Sequence, residues 1–324
     1  MEEKIPVLAV VGPTAAGKTA LGISLAKALY GEIVSCDSMQ IYRGQPIGTA
    51  QPTPEEQAAV PHHLVSFLDV RESFSVSDYV ELAGQTIREL WGRGKLPVLV
   101  GGTGLYARSL LRGFSFTDSC RDESLREELF RRGEEEGPEA LYRELEALDP
   151  VSAKEIHPNN VKRVIRALEY CKLSGEPFSA QAERSKSALP PYRSLMLCVS
   201  FRDREKLYSR IDRRVDKMLE AGLLEEAERF YDLCKTCGAP PTAAQAIGYK
   251  ELFPYFAGDA SLDEAVENLK RESRRYAKRQ ITWFSREPDA RYLYADDYDS
   301  PEELLEEGLR LAKEAGMERG ESTR

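Results

Sequence analysis

Long apolar runs are missing from this sequence: none approaches the roughly 20 residues that a membrane-spanning helix needs. Met1-Glu2-Glu3-Lys4 passes almost at once into a strand pattern, which leaves no room for a signal peptide and points to a cytoplasmic protein. Histidine is scarce, at three residues, and the six cysteines are scattered. Only Cys234-Lys235-Thr236-Cys237 has metal-ligand spacing. No second cysteine pair completes it, and His62, His63 and His157 lie far off, so a zinc site is not expected. Positive charge is also in deficit. The 45 Lys and Arg against 54 Asp and Glu leave a net charge of −9, which argues against a sequence-blind nucleic-acid binder. At 324 residues and 42% hydrophobic, the chain can bury a full core in one large domain or two smaller ones.

What is present is sharper. The apolar run Val7–Val11 leads into Gly12-Pro13-Thr14-Ala15-Ala16-Gly17-Lys18-Thr19, and a helical pattern from Ala20 to Leu29 follows. Strand, Gly-x-x-x-x-Gly-Lys-Thr loop and helix are the context of a phosphate-binding P-loop. Loop amides and the helix N-terminus aim donors at one spot, Lys18 adds a full charge, and Thr19 offers a hydroxyl to Mg²⁺. The motif implies a bound di- or triphosphate without saying which.

Further strands are expected at Glu32–Cys36, Pro97–Val100 and Ser194–Ser200, alternating with helices. The fold class is therefore α/β, a P-loop NTPase-like parallel sheet with an inserted all-helical domain. The core is placed at 1–115 and 194–313, the helical insertion at 116–193, and a frayed tail at 314–324. Within the insertion the helical patterns are Glu123–Glu136, Pro138–Leu148 and Asn160–Leu173, the last capped by Asn159 or Asn160 and ended by Gly175 and Pro177. A long helix runs from Asp203 to Ala221, and a basic one from about Asp263 to Phe284.

Ligands of open parallel sheets sit at the carboxyl ends of the strands, so the residues after each strand face the phosphates. After the second strand, Asp37 reads equally as a Mg²⁺ ligand or as a general base beside an acceptor. After the third, Gly101-Gly102-Thr103-Gly104 opens a helix, which is a weak signal by itself. Arg210 and Arg214, at i and i+4, project together and could neutralise a diphosphate; ion pairs with Asp212, Asp216 or Glu220 are the ordinary competitor. Arg274–Phe284 interleaves basic and aromatic residues, as suits an RNA backbone with unpaired bases, although a solvated helix face is the bland alternative.

Taken together the chain resembles the bacterial tRNA dimethylallyltransferases, also called tRNA isopentenyltransferases. The resemblance rests on Gly12–Thr19, Asp37–Arg43 with Ile47–Ala50, Pro61–Leu64, Gly101–Tyr106, Arg163–Glu169, Ala246–Glu251 and Lys278–Phe284. It implies transfer of a dimethylallyl group from dimethylallyl diphosphate to N6 of adenosine 37, next to the anticodon of tRNA, by a Mg²⁺-dependent, monomeric enzyme. Gly12, Pro13, Thr14, Ala15, Ala16, Gly17, Lys18 and Thr19 would then cradle the donor diphosphate. Asp37 would act as base, with Thr103 near the reacting centre and Arg214, with Arg210 beside it, on the diphosphate. Thr19 and Asp37 would hold the metal, directly or through water. RNA contacts would come from Asp37, Ser38, Met39, Gln40, Thr103 and Arg126, and from Lys162, Arg163, Val164, Ile165 and Arg166. Two later segments complete the RNA set: Gln245, Ala246, Ile247, Gly248, Tyr249 and Lys250, then Lys278, Arg279, Gln280, Ile281, Thr282, Trp283, Phe284 and Ser285. Ser285 stands where the family more often has arginine.

Overall fold

The computed structural model describes residues 4–114, 122–187 and 189–317. The chain divides into two compact units, one of residues 1–111 with 191–324 and the other of residues 112–190. The larger unit is built on six parallel strands: β1 (Pro6–Val11), β2 (Gly31–Ser35), β3 (His62–His63), β4 (Leu96–Gly101), β5 (Arg193–Ser200) and β6 (Ala290–Tyr294). Their order is β3-β2-β4-β1-β5-β6. Every pairing is parallel, so neighbouring strands are joined by crossovers rather than by tight hairpins.

Side chains alternate across a strand, and β1 shows the consequence. Leu8 and Val10 join Leu21, Leu25 and Val98 on one face, beneath the helices Lys18–Ala28 and Pro301–Glu314. Val7, Ala9 and Val11 join Tyr79, Ile87 and Leu110 on the other, beneath Val76–Gly92 and Gly104–Arg112. Both faces are covered, so β1 is apolar throughout rather than alternating. A third cluster gathers Ile41, Tyr42, Val215, Phe230, Tyr249 and Leu269 from the loop after β2 and the later helices. The helices Arg204–Glu220 and Leu262–Phe284 are also joined by ion pairs, Asp212 with Arg274 and Asp216 with Lys270, both 2.6 Å. These carboxylates, named above as competitors for Arg210 and Arg214, are thus engaged by the neighbouring helix.

The smaller unit contains the helices Glu123–Glu135, Pro138–Leu148, Pro150–Glu155, Val161–Ser174 and Phe178–Ser187. Leu129, Leu141, Leu145, Ile156, Val164, Ile165 and Leu168 form its core. Asn160 caps Val161–Ser174 by accepting from the Arg163 amide at 3.4 Å, and Gly175 ends that helix at φ 70°. Buried Asp149 accepts from the Ser152 amide at 3.0 Å and from the Ser179 amide and hydroxyl at 2.8 Å each, tying three helices together. The tail expectation needs one correction: Met317 is buried in the main core, and only residues from 318 onward lie outside those described.

Candidate active site

The P-loop takes its shape from local sterics. Gly12 has φ 137°, and a Cβ there would fall 2.1 Å from the Val199 carbonyl oxygen, so only glycine lets β1 turn beneath β5. Lys18 folds over the loop and donates to the Pro13 carbonyl at 2.7 Å. Burial, then the nearby Arg214 charge, lowers its pKa to about 8, while Asp37 pulls the other way. Gln280, almost fully buried on the helix Leu262–Phe284, accepts from the Thr14 amide at 2.9 Å. It also donates to the Gly102 carbonyl at 2.9 Å. One side chain therefore clamps the loops after β1 and β4 together.

Asp37 leaves the end of β2 in an Asx turn, where its Oδ1 accepts from the Met39 amide at 2.9 Å and the Gln40 amide at 3.4 Å. Thr103 holds the same strap, for its hydroxyl accepts from the Ser38 amide at 3.0 Å and donates to the Ser38 hydroxyl at 3.3 Å. Thr103 thus supports the residue beside Asp37.

A cavity of about 900 Å³ joins these parts. Thr14, Lys18, Thr19, Asp37 and Arg214 supply its charged and polar wall. Met39, Val215, Met218, Ile247 and Leu269 supply an apolar one, and Gln245, Lys250, Tyr276 and Arg279 also line it. The Arg pair is separated by the fold. Arg214 lines the cavity, its pKa lowered by burial against the pull of Asp37. Arg210 is exposed and donates through Nε to the Ala15 carbonyl at 3.0 Å, bracing the loop from outside. Glycine, proline and alanine positions of the loop contribute backbone, and only Thr14, Lys18 and Thr19 line the space.

Several residues expected at an RNA surface are placed otherwise. Val164 and Ile165 are core residues of the helical unit, and Ala246, Tyr249 and Phe284 are buried in the larger one, because each lies on the apolar stripe of its segment. Gln280 is consumed by the clamp, and Ile281 packs beside Leu207 and Ile211. Trp283 carries Arg108 over its ring, 4.7 Å from the centroid. Arg126 and Arg166 bond buried Glu169 at 2.9 and 2.8 Å. Exposed candidates are Lys162, Arg163, Gln245, Lys250, Lys278, Arg279, Thr282 and Ser285. Arg275, from the basic-aromatic segment, and Arg286 just beyond it join Lys278, Arg279, Thr282 and Trp283 around a second hollow of about 390 Å³. Val215 and Met218, which pack in the third core cluster, also line the cavity.

The family model described as IPP transferase matches residues 40–287, and one described as isopentenyl transferase matches residues 5–65. The chain belongs to the IPP transferase family. It is 48% identical over 308 residues to a tRNA dimethylallyltransferase of Bacillus cytotoxicus, covering 94% of this chain and 96% of that one. The solved full-length tRNA isopentenylpyrophosphate transferase of Bacillus halodurans is 44% identical, covers 97% of each chain and superposes with a TM-score of 0.71. A eukaryotic dimethylallyltransferase solved acting on tRNA is 29% identical, with a TM-score of 0.83, covering 100% of this chain and 82% of that one.

Proposed function

We propose that the chain transfers the dimethylallyl group of dimethylallyl diphosphate to N6 of adenosine 37, beside the anticodon of tRNA, releasing diphosphate. One observation carries this reading: a single cavity presents cations for a diphosphate, a carboxylate for an amine and an apolar wall for a prenyl chain. Relatives named tRNA dimethylallyltransferase across nearly the whole chain support it.

The adenine N6 attacks C1 of the allyl group. The C1–O bond breaks, its electron pair leaves with the diphosphate, and the N6 proton passes to Asp37. Asp37 can accept it because the Asx turn occupies Oδ1 and leaves the second carboxylate oxygen to the cavity. Lys18, Arg214 and the loop amides stabilise the charge developing on the leaving group, where one such donor is typically worth about a hundredfold or more in rate. Met39, Val215, Met218 and Leu269 keep water from the allyl centre. Thr19 and Asp37 border the same space with hard oxygen donors, a set that suits Mg²⁺ completed by substrate phosphates. When bound, the ion would offset diphosphate charge. A monomeric enzyme is part of the same proposal. No helix among the described residues is long and apolar enough to cross a membrane, and a cytoplasmic enzyme is the corresponding proposal.

The test is direct. Purified chain, Mg²⁺, dimethylallyl diphosphate and an anticodon hairpin should yield N6-dimethylallyladenosine in nuclease digests read by mass spectrometry. AMP offered alone should remain unmodified. A hairpin left unmodified by folded protein overturns the reading.

A further inference from the structure

Glu226 lies in the first turn of the helix Leu223–Lys235 and is 3% exposed. Its carboxylate accepts from the Gly48 amide at 2.7 Å, the Ile47 amide at 3.0 Å and the Tyr249 hydroxyl at 2.7 Å. A helix N-terminus favours an anion, and these three neutral donors satisfy it without a cation. The fit is close: a Cβ on Gly48 would stand 2.4 Å from Tyr249 Cζ, so the loop lies flush on the ring. Gly48 and Ala50 line the cavity. The other end of this loop is tied to Gln40, whose Nε2 donates to the Ala50 carbonyl at 2.8 Å and whose own amide reaches Asp37 Oδ1. A continuous set of hydrogen bonds thus runs from Glu226 through the Ile47–Ala50 loop to the strap that carries Asp37.

We infer that Glu226 is a positioning residue that fixes the acceptor side of the cavity, the Gly48–Ala50 wall and the Asp37 strap, for the nucleoside. The inference rests on the proposed prenyl transfer to RNA. It separates the two substrates, because the bonds of Glu226 lead to this wall, whereas Lys18 and Thr14 are fixed by Pro13 and Gln280.

The experiment is steady-state kinetics of the full chain with an anticodon hairpin and dimethylallyl diphosphate, each varied in turn, with melting midpoints recorded. Hydrogen bonds to a buried charge are strong enough that losing them is expected to shift an equilibrium tenfold or more. Glu226→Ala should therefore raise the hairpin KM about tenfold or more while the donor KM stays within about twofold. Glu226→Gln, which keeps one acceptor oxygen, should recover part of the loss. A folded Glu226→Ala chain with unchanged hairpin KM, or with both KM values raised alike, overturns the inference. If that variant does not fold, Tyr249→Phe decides by the same split, a selective rise in hairpin KM supporting the role and no rise overturning it. Wild-type chain that prenylates no hairpin overturns the underlying reading, and needs no variant to show it.

Discussion

The side-chain carbonyl of Gln280 accepts from the amide of Thr14 at 2.9 Å, joining residues 266 positions apart in sequence. The other half of the same amide donates to the Gly102 carbonyl, so the P-loop and the β4 turn share one clamp. Gln280→Ala leaves two backbone groups without that partner, at a cost of about 1–3 kcal/mol. The expected result is a lowered melting midpoint together with a donor KM raised several-fold. An unchanged midpoint and donor KM would show that the clamp contributes nothing.

Arg210 and Arg214 should separate in kinetics as they do in space. Arg214→Ala removes a cation from the cavity wall and should lower kcat/KM for the donor by about a hundredfold. Arg210→Ala removes a brace on the Ala15 carbonyl and should cost only a few-fold. Equal losses would contradict the assignment.

β1, β4 and most of β5 were legible because strands buried on both faces read as apolar runs, and β2 by its Ile33-Val34 pair between β1's helix and the next loop. β3, two residues long, and β6, half-buried at the sheet edge, carry no such signal. The P-loop was legible because its chemistry is local. Gln280 was not: within a basic-aromatic helix nothing marks the one position whose rotation points it at the strand ends. For the same reason the i, i+4 spacing of Arg210 and Arg214 could not say which entered the cavity. Glu226 stood in an ordinary amphipathic helix, its partners 179 and 23 residues away.

Asp37 has two jobs that a single substitution can part. Asp37→Asn keeps an acceptor oxygen for the Met39 and Gln40 amides and so preserves the turn, but it cannot take a proton at neutral pH. Turnover should fall by about 10²–10⁴ while hairpin affinity, measured by fluorescence anisotropy, changes little. Turnover within a few-fold of wild type would remove Asp37 as base.

The helical unit should carry an acid-sensitive contribution to stability. Burial pushes the Glu169 carboxyl pKa up, but bonds from Arg166, Arg126 and the Asp122 amide outweigh it, and the net shift is downward. A folded-state pKa below the unfolded value means stability that is full above the ordinary carboxylate range and lost as pH falls through the lowered value. Glu169→Gln should therefore be less stable than wild type near pH 7, with the gap closing toward about pH 3. Urea midpoints at the two pH values measure this, and a constant gap would exclude the ion pairs as its origin.

Within the same helical unit, charge and contact are divided in a way that predicts how RNA binding will fail. Lys162 and Arg163 are exposed, whereas Arg126 and Arg166 are held by Glu169. Replacing Lys162 and Arg163 together by Ala should weaken hairpin binding. If each meets a phosphate, the slope of log K against log salt should drop by about 0.7–0.9 per residue. Arg166→Ala should act chiefly on the melting midpoint, because it strips a partner from a fully buried carboxylate. An unaltered salt slope in the Lys162, Arg163 double variant would place the RNA backbone elsewhere, since counterions are released only where a cation displaces them.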